Sequence, residues 1–194
     1  MFDKKKICEY KDYLKKNLSK KRYTHSLNVA ESALALAERY KADKDKAYVA
    51  GLIHDVAKEL PTEKQRKLVV NSKLNVSDIE TKATPLYHAI AGAELIQTEF
   101  GIDDEEIIDA VRYHTVACKD MSKLSQIVYL ADLISEDRDY KDVKKMRKYC
   151  EQSLEKGMLE ALKFSISDSV RKGNSIPCST LEAYNDFTLL YNKK

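Results

Sequence analysis

Gly51-Leu52-Ile53-His54-Asp55-Val56-Ala57-Lys58 is the stretch that decides the fold. It closes a run (Ala47, Val49, Ala50, Leu52, Ile53, Val56, Ala57) that reads as buried helix, yet it sets a histidine beside an aspartate. Neighbours on a helix differ in direction by about 100°, so these two metal-ligating side chains splay around one ion instead of stacking. Lys58 follows His54 by four residues, the spacing that places two side chains on one helix face. An ammonium there suits a phosphate near a metal better than it suits a core.

The rest of the chain is what such a helix needs around it. With 194 residues, 43% apolar and 34% charged, and only 5 Gly and 3 Pro, the composition is that of a helix-rich globular domain. The net charge of +3 lacks the concentrated basic stripe of a general nucleic-acid binder. Cys8, Cys118, Cys150 and Cys178 form no CxxC pair, which points to a reducing compartment instead of a disulfide frame or zinc knuckle. No apolar segment follows Met1-Phe2-Asp3-Lys4-Lys5-Lys6 and no stretch approaches a membrane span, so a cytoplasmic location is expected.

Helical periodicity runs through the whole sequence. Residues 3–17 carry Ile7, Tyr10 and Leu14 on one stripe, with lysines on the other face. Ser19 is placed to cap a helix through about Tyr40, bearing Tyr23, Leu27, Ala30, Leu34 and Ala37. Asp43 is placed to cap the helix of the central stretch. Thr62-x-x-Gln65 and Ser77-x-x-Glu80 have the form of capping boxes, and Thr84-Pro85 opens a helix through Glu99 that Gly101 closes. Asp103-x-x-Glu106 caps the segment of Ile107, Ile108 and Val111, and Ser122 caps that of Leu124 to Ile134. A charged loop, 135–148, leads to helices over 153–172 (Leu154, Met158, Leu162, Ile166, Val170) and 179–191 (Leu181, Tyr184, Phe187, Leu190). The expectation is an all-α fold over residues 1–194, a single bundle with its metal-site core at 19–136 and helices 150–191 packed on it.

Each of the 4 histidines falls on or at the end of a core helix: His25, His54, His88 and His114. Asp132 sits in Val128-Tyr129-Leu130-Ala131-Asp132-Leu133-Ile134, where a carboxylate without a partner costs several kcal/mol. A cation supplies the partner. Two imidazoles and two carboxylates, His25, His54, Asp55 and Asp132, suit a borderline divalent metal such as iron(II), manganese, cobalt or zinc. A closed structural zinc site would recruit thiolates. His88 and His114 are left to ligate a second ion or to hydrogen-bond a phosphate.

The order His25, His54-Asp55, Asp132 resembles the HD-domain phosphohydrolase superfamily, named for that dipeptide. Arg22-Tyr23-Thr24-His25-Ser26-Leu27, Ala50 to Lys58, Arg112-Tyr113-His114-Thr115 and Tyr129-Leu130-Ala131-Asp132 more closely resemble the bacterial YqeK family. Those proteins are symmetrical bis(5′-nucleosyl)-tetraphosphatases, which split diadenosine tetraphosphate into two ADP. The resemblance implies an HD bundle in which His25, His54, Asp55 and Asp132 hold iron. It also implies that Arg22, Lys58, His88, His114, Thr115 and Arg138 surround the polyphosphate. Two departures touch the rim: Val116-Ala117 stands where the family usually has Thr-Gly, and Glu136-Asp137-Arg138 where it tends to have Glu-Pro before the arginine.

The chemistry expected from these residues is hydrolysis by a water that a divalent ion activates. Asp55 orients or deprotonates that water, while Lys58, His88, His114 and Arg22 position and neutralise phosphates. The partner expected is a small dinucleoside polyphosphate and, at most, a second copy of the chain as a homodimer, with neither nucleic acid nor membrane. Two other readings stand beside this one: another HD-type nucleotide phosphohydrolase or phosphodiesterase, and a catalytically silent nucleotide-binding helical module.

Overall fold

Two helices made for close approach form the centre of the molecule. In the computed structural model, which describes residues 3–192, α2 (Lys20–Arg39) packs on α3 (Lys44–Ile53). Gly51 is what permits it. A Cβ there would lie 3.0 Å from both the Ala30 Cα and the Ala33 Cβ, with the Val29 carbonyl at 3.1 Å. The buried stripe of α2 runs through His25, Val29, Ala33 and Leu36, while Leu27 and Leu34 are only partly covered. Ala30 and Ala37 of the expected stripe are buried, but the inward face is shifted from it toward Val29, Ala33 and Leu36, and His25 lies on that face.

The other helices close around this pair. α1 (Lys4–Asn17) lies on α3 through Tyr10 and Leu14, capped by Asp3. α6 (Tyr87–Thr98), α7 (Glu105–Tyr113) and α8 (Lys123–Ile134) complete the core, which runs in one apolar cluster from Tyr10 to Phe187. The shorter α4 (Thr62–Val70) covers α6 with α5 (Asp78–Lys82) beside it, and α9 (Val143–Gln152), α10 (Leu154–Arg171) and α11 (Cys178–Asn192) build outward from α8. No strand occurs among the described residues, and no helix there is long and apolar enough to cross a membrane. The fold is all-α. Residues 1, 2, 193 and 194 of the expected domain lie outside the described residues.

The caps show where local chemistry decides and where packing does. Ser19, Asp43 and Ser122 each accept from a backbone N–H three residues on, and Ser77 with Glu80 forms the reciprocal capping box. Thr62 and Gln65 do not. Pro61 takes the cap position, leaving Thr62 inside the first turn, and the Gln65 amide reaches back to the Leu60 carbonyl at 2.8 Å. Asp104, not Asp103, caps α7 by accepting from Glu106 N–H at 3.1 Å. The segment expected as one helix from Thr84 to Glu99 divides into a 3₁₀ turn, Thr84–Leu86, and α6. Val170, Leu181 and Leu190, counted inward by periodicity, are exposed; Ala183 and Phe187 hold α11 to the core.

Candidate active site

The helix that carries the central stretch stops at Ile53, and His54 is the reason. The Gly51 carbonyl would serve Asp55 N–H in a continuing helix; instead it accepts from His54 Nδ1 at 2.8 Å. Residues 54–60 then proceed through tight turns, with Val56, Lys58 and Leu60 N–H groups reaching three residues back. His54 and Asp55 therefore stand at a helix end instead of along its side.

The same device recurs. His114, directly after α7, donates Nδ1–H to the Val111 carbonyl at 2.7 Å, and His88, at the start of α6, to the Pro85 carbonyl at 2.9 Å. His25 Nδ1 lies 2.8 Å from Asp137 Oδ2. The rings of His54, His88 and His114 thus have Nδ1–H given to carbonyls and present Nε2 as a lone pair, while His25 meets a carboxylate with each nitrogen. The rings contact edge to face in sequence, His25–His54 at 5.3 Å, His54–His114 at 5.0 Å and His114–His88 at 5.2 Å between centroids.

The four Nε2 atoms converge on carboxylates. His25 Nε2 is 2.9 Å from Asp132 Oδ1, and His54 Nε2 is 3.5 Å from Asp55 Oδ2 and 3.8 Å from Asp132 Oδ1. On the other side, His88 Nε2 and His114 Nε2 approach Asp55 Oδ1 at 3.4 and 3.5 Å. His54 Nε2 and Asp55 Oδ1 are buried with no hydrogen-bond partner. Orphaned polar atoms of this kind carry a desolvation cost that a cation would offset. Two donor groups result, His25/His54/Asp55 and Asp55/His88/His114, with ligand atoms within 4.8 Å of one another and Asp55 common to both. Nitrogen and oxygen donors without thiolate fit a borderline divalent ion.

Cationic side chains surround these donors. Arg22, in the first turn of α2, donates to Asp55 Oδ2 at 2.7 Å, and Lys58 Nζ stands 4.0 Å from Asp55 Oδ1. Arg138 binds the Asp132 carboxylate and, through Nε at 2.8 Å, the Asp132 carbonyl. Burial by itself would raise the pKa of Asp55; the imidazoles of His54, His114 and His88 outweigh it and hold the carboxyl well below the usual range. Asp132 follows the same balance, with burial opposed by His25, His54 and Arg138. Burial pushes His88 down to about 3, helped by Lys58 and His114. Burial also lowers Lys58, with Asp55 opposing.

All ten residues singled out in the sequence meet here. Thr115 Oγ1 lies 3.2 Å from His88 Nε2, and Arg138 joins Arg22 and His25 around a mouth of about 190 Å³ that Lys21, Glu59 and Asp137 also line. For His88 and His114 the tautomers matter: a ring whose Nδ1–H serves a carbonyl presents a lone pair, suited to a cation and unable to donate to phosphate.

Three residues escaped the sequence reading. Asp137 holds His25, and Asn28 Nδ2 donates to its other oxygen at 3.1 Å. Glu59 accepts both the N–H and the hydroxyl of Ser19, at 2.5 and 2.8 Å, tying the start of α2 to the turn after His54-Asp55. No linear pattern marks either contact, since the partners lie 112 and 40 residues apart. Of the departures on the rim, Ala117 takes φ 60, a left-handed conformation that glycine adopts at lower cost.

The HD domain profile matches residues 22–137. A Bacillus subtilis protein described as bis(5′-nucleosyl)-tetraphosphatase, symmetrical, is 34% identical over 172 residues, covering 89% of this chain and 92% of that protein. A Halalkalibacterium halodurans protein of the same description is 35% identical, covering 91% and 94%. Among solved structures, one from Clostridium acetobutylicum, described as a "predicted HD superfamily hydrolase involved in NAD metabolism", superposes with a TM-score of 0.90 at 36% identity over the full length of both chains.

Proposed function

The chain belongs to the HD-domain family, and from that membership we propose that it is a metal-dependent hydrolase cleaving dinucleoside tetraphosphates symmetrically, diadenosine tetraphosphate into two ADP. The relatives from Bacillus and Halalkalibacterium, similar over nearly their whole length, bear the activity in their descriptions. The observation that carries the reading is the convergence of four Nε2 atoms on Asp55 and Asp132, with Lys21, Arg22 and Arg138 at the mouth beside His25.

His25, His54, Asp55 and Asp132 would hold a divalent ion. Iron is the ion that the YqeK resemblance implies, and manganese, cobalt and zinc suit the same donors. When bound, such an ion supplies a hydroxide nucleophile near neutral pH and neutralises phosphoryl charge. The protein's own groups do the rest. Arg22 donates to the Asp55 carboxylate and fixes its direction, and the carboxyl is held well below the usual range, so Asp55 orients the attacking water and serves poorly as a base. Lys21, Arg22 and Arg138 at the mouth, with Lys58 behind them, offset negative charge on the bridging and leaving phosphates. Thr115 offers a hydroxyl to the same group.

Because these cations gather at one centre, a polyphosphate is gripped in its middle and its two nucleosides extend to either side. Attack then falls on an internal phosphorus and yields two diphosphates. Hydrolysis of diadenosine tetraphosphate in ¹⁸O-labelled water, followed by mass spectrometry, tests this: ADP alone, with one label per pair, is expected. AMP and ATP in equal amounts would overturn it.

A further inference from the structure

Arg138 has two sides. One lines the small mouth beside His25; the other lines a separate cavity of about 640 Å³. That volume lies within the range of roughly 300–1,000 Å³ typical of small-molecule sites. Arg138, which lines both cavities, also binds the Asp132 carboxylate and carbonyl, and so links the larger cavity to the proposed metal donors. One wall of that cavity is aromatic: Tyr140 from the loop before α9 and Phe164 from α10 stack with centroids 4.9 Å apart and planes 28° from parallel.

The loop that carries Arg138 and Tyr140 is held from behind. Arg147 donates to the carbonyls of Ile134, Ser135 and Arg138 at 2.9, 2.7 and 3.3 Å. Around the opening stand Arg138, Lys141, Arg171 and Lys172, against Asp142 and Asp168, an excess of two positive charges. Arg171 and Lys172 are themselves fixed by Asp168, at 2.5 and 2.6 Å. A flat apolar wall, a cationic opening and a shared arginine leading to the metal donors match a planar heterocycle joined to a chain of phosphates.

We propose that this cavity binds one nucleoside half of the dinucleotide, its base against the Tyr140–Phe164 pair and its phosphates led past Arg138 to the cleavage centre. The proposal rests on the reading of the site as a dinucleoside polyphosphate hydrolase and adds the residues that read the base. A second cavity of about 400 Å³, beside Thr84 and Pro85, is the competing location, but its described lining carries no aromatic ring.

Ser167 lines the cavity from its exposed side and takes no part in the metal site. In metal-loaded protein, Ser167→Trp should fill the space and weaken ADP binding, measured by calorimetry, about 10- to 100-fold, the scale of losing one stacked base. Phe164→Leu, which keeps the wall apolar but removes the ring, should weaken ADP in the same direction. Inorganic tripolyphosphate, which has no base, should bind wild type and both variants alike. Photolabelling with 8-azido-ADP should mark residues 133–142 or 164–172. Unchanged ADP affinity in both variants, or label confined to residues 79–86, would overturn the assignment. So would wild-type protein that binds ADP no more tightly than tripolyphosphate. Products of diadenosine tetraphosphate are scored separately on wild type, so a failed cleavage reading and a failed base site give different results.

Discussion

His25 and Asp137 meet across 112 residues of chain, Nδ1 to Oδ2 at 2.8 Å, while the other nitrogen of the same ring faces Asp132 at 2.9 Å. Asp137 thus plays for His25 the part that backbone carbonyls play for the other three histidines. A carboxylate in that position fixes the tautomer and orientation of a ligating imidazole and raises its basicity.

Removing that carboxylate should loosen the metal without unfolding the helices. Asp137→Ala is expected to lower affinity for a divalent ion about 10- to 100-fold, read by competition with a chromogenic chelator. Asp137→Asn, whose amide oxygen still accepts from Nδ1–H, should recover part of the loss. Equal affinity in Asp137→Ala and wild type would remove Asp137 from any positioning role.

Asp132 should behave differently, because its Oδ1 lies 2.9 Å from His25 Nε2 and 3.8 Å from His54 Nε2, where the proposed ion would sit. Asp132→Ala is expected to lose bound metal and activity together while circular dichroism stays that of a folded helical protein. A variant that retains stoichiometric metal by elemental analysis would show that Asp132 is no ligand.

The lone pairs of His88 and His114 lead to a count. With both Nδ1–H groups given to carbonyls and His88 held down at about 3 by burial, the Nε2 atoms suit a second cation sharing Asp55. Lys58 Nζ already approaches the His88 lone pair at 3.0 Å, and an ion of higher charge should displace it. Metal-saturated wild type should hold two ions per chain, and His88→Ala or His114→Ala one. A single ion in wild type would mean that Lys58 keeps that place.

Arg112 lies in the sequence pattern around His114, yet it faces away from the metal donors. Its guanidinium pairs with Glu80 at 2.7 Å and donates to the Asn75 carbonyl at 2.8 Å, both side chains almost fully buried. It joins the segment before α6 to α7, and so holds His88 near His114. Arg112→Ala leaves the Glu80 carboxylate buried without its partner and should cost about 3–5 kcal/mol in urea unfolding. Replacing both residues by leucine should recover much of that. A loss below 1 kcal/mol for Arg112→Ala would show that water reaches Glu80 freely.

Much of the fold was legible because helices are written locally. Apolar spacing and the caps Ser19, Asp43, Ser77 and Ser122 act within a turn or two, and the structure places helices where they indicate. Thr62 and Gln65 misled because Pro61 displaced the cap by one residue, a choice between nearly equivalent backbone states. The orientation of α2 about its own axis was not legible either. Leu27 and Leu34 stood in the expected stripe with Ala30 and Ala37, but the fit of Ala30 and Ala33 against Gly51 shifts the buried face toward Val29, Ala33 and Leu36.

The sequence by itself determined the helical class, the family, and the set of imidazoles and carboxylates, because periodicity, caps and the spacing of rare polar residues in apolar helices are local properties of a chain. Only the tertiary structure decided which nitrogen of each imidazole faces the centre, that Asp137 steadies His25, that Arg112 serves the scaffold, and that Arg138 stands between the histidine cluster and a second cavity. Those relations depend on side chains brought together from far along the chain, and hydrogen-bond direction and burial exist only once the helices have packed.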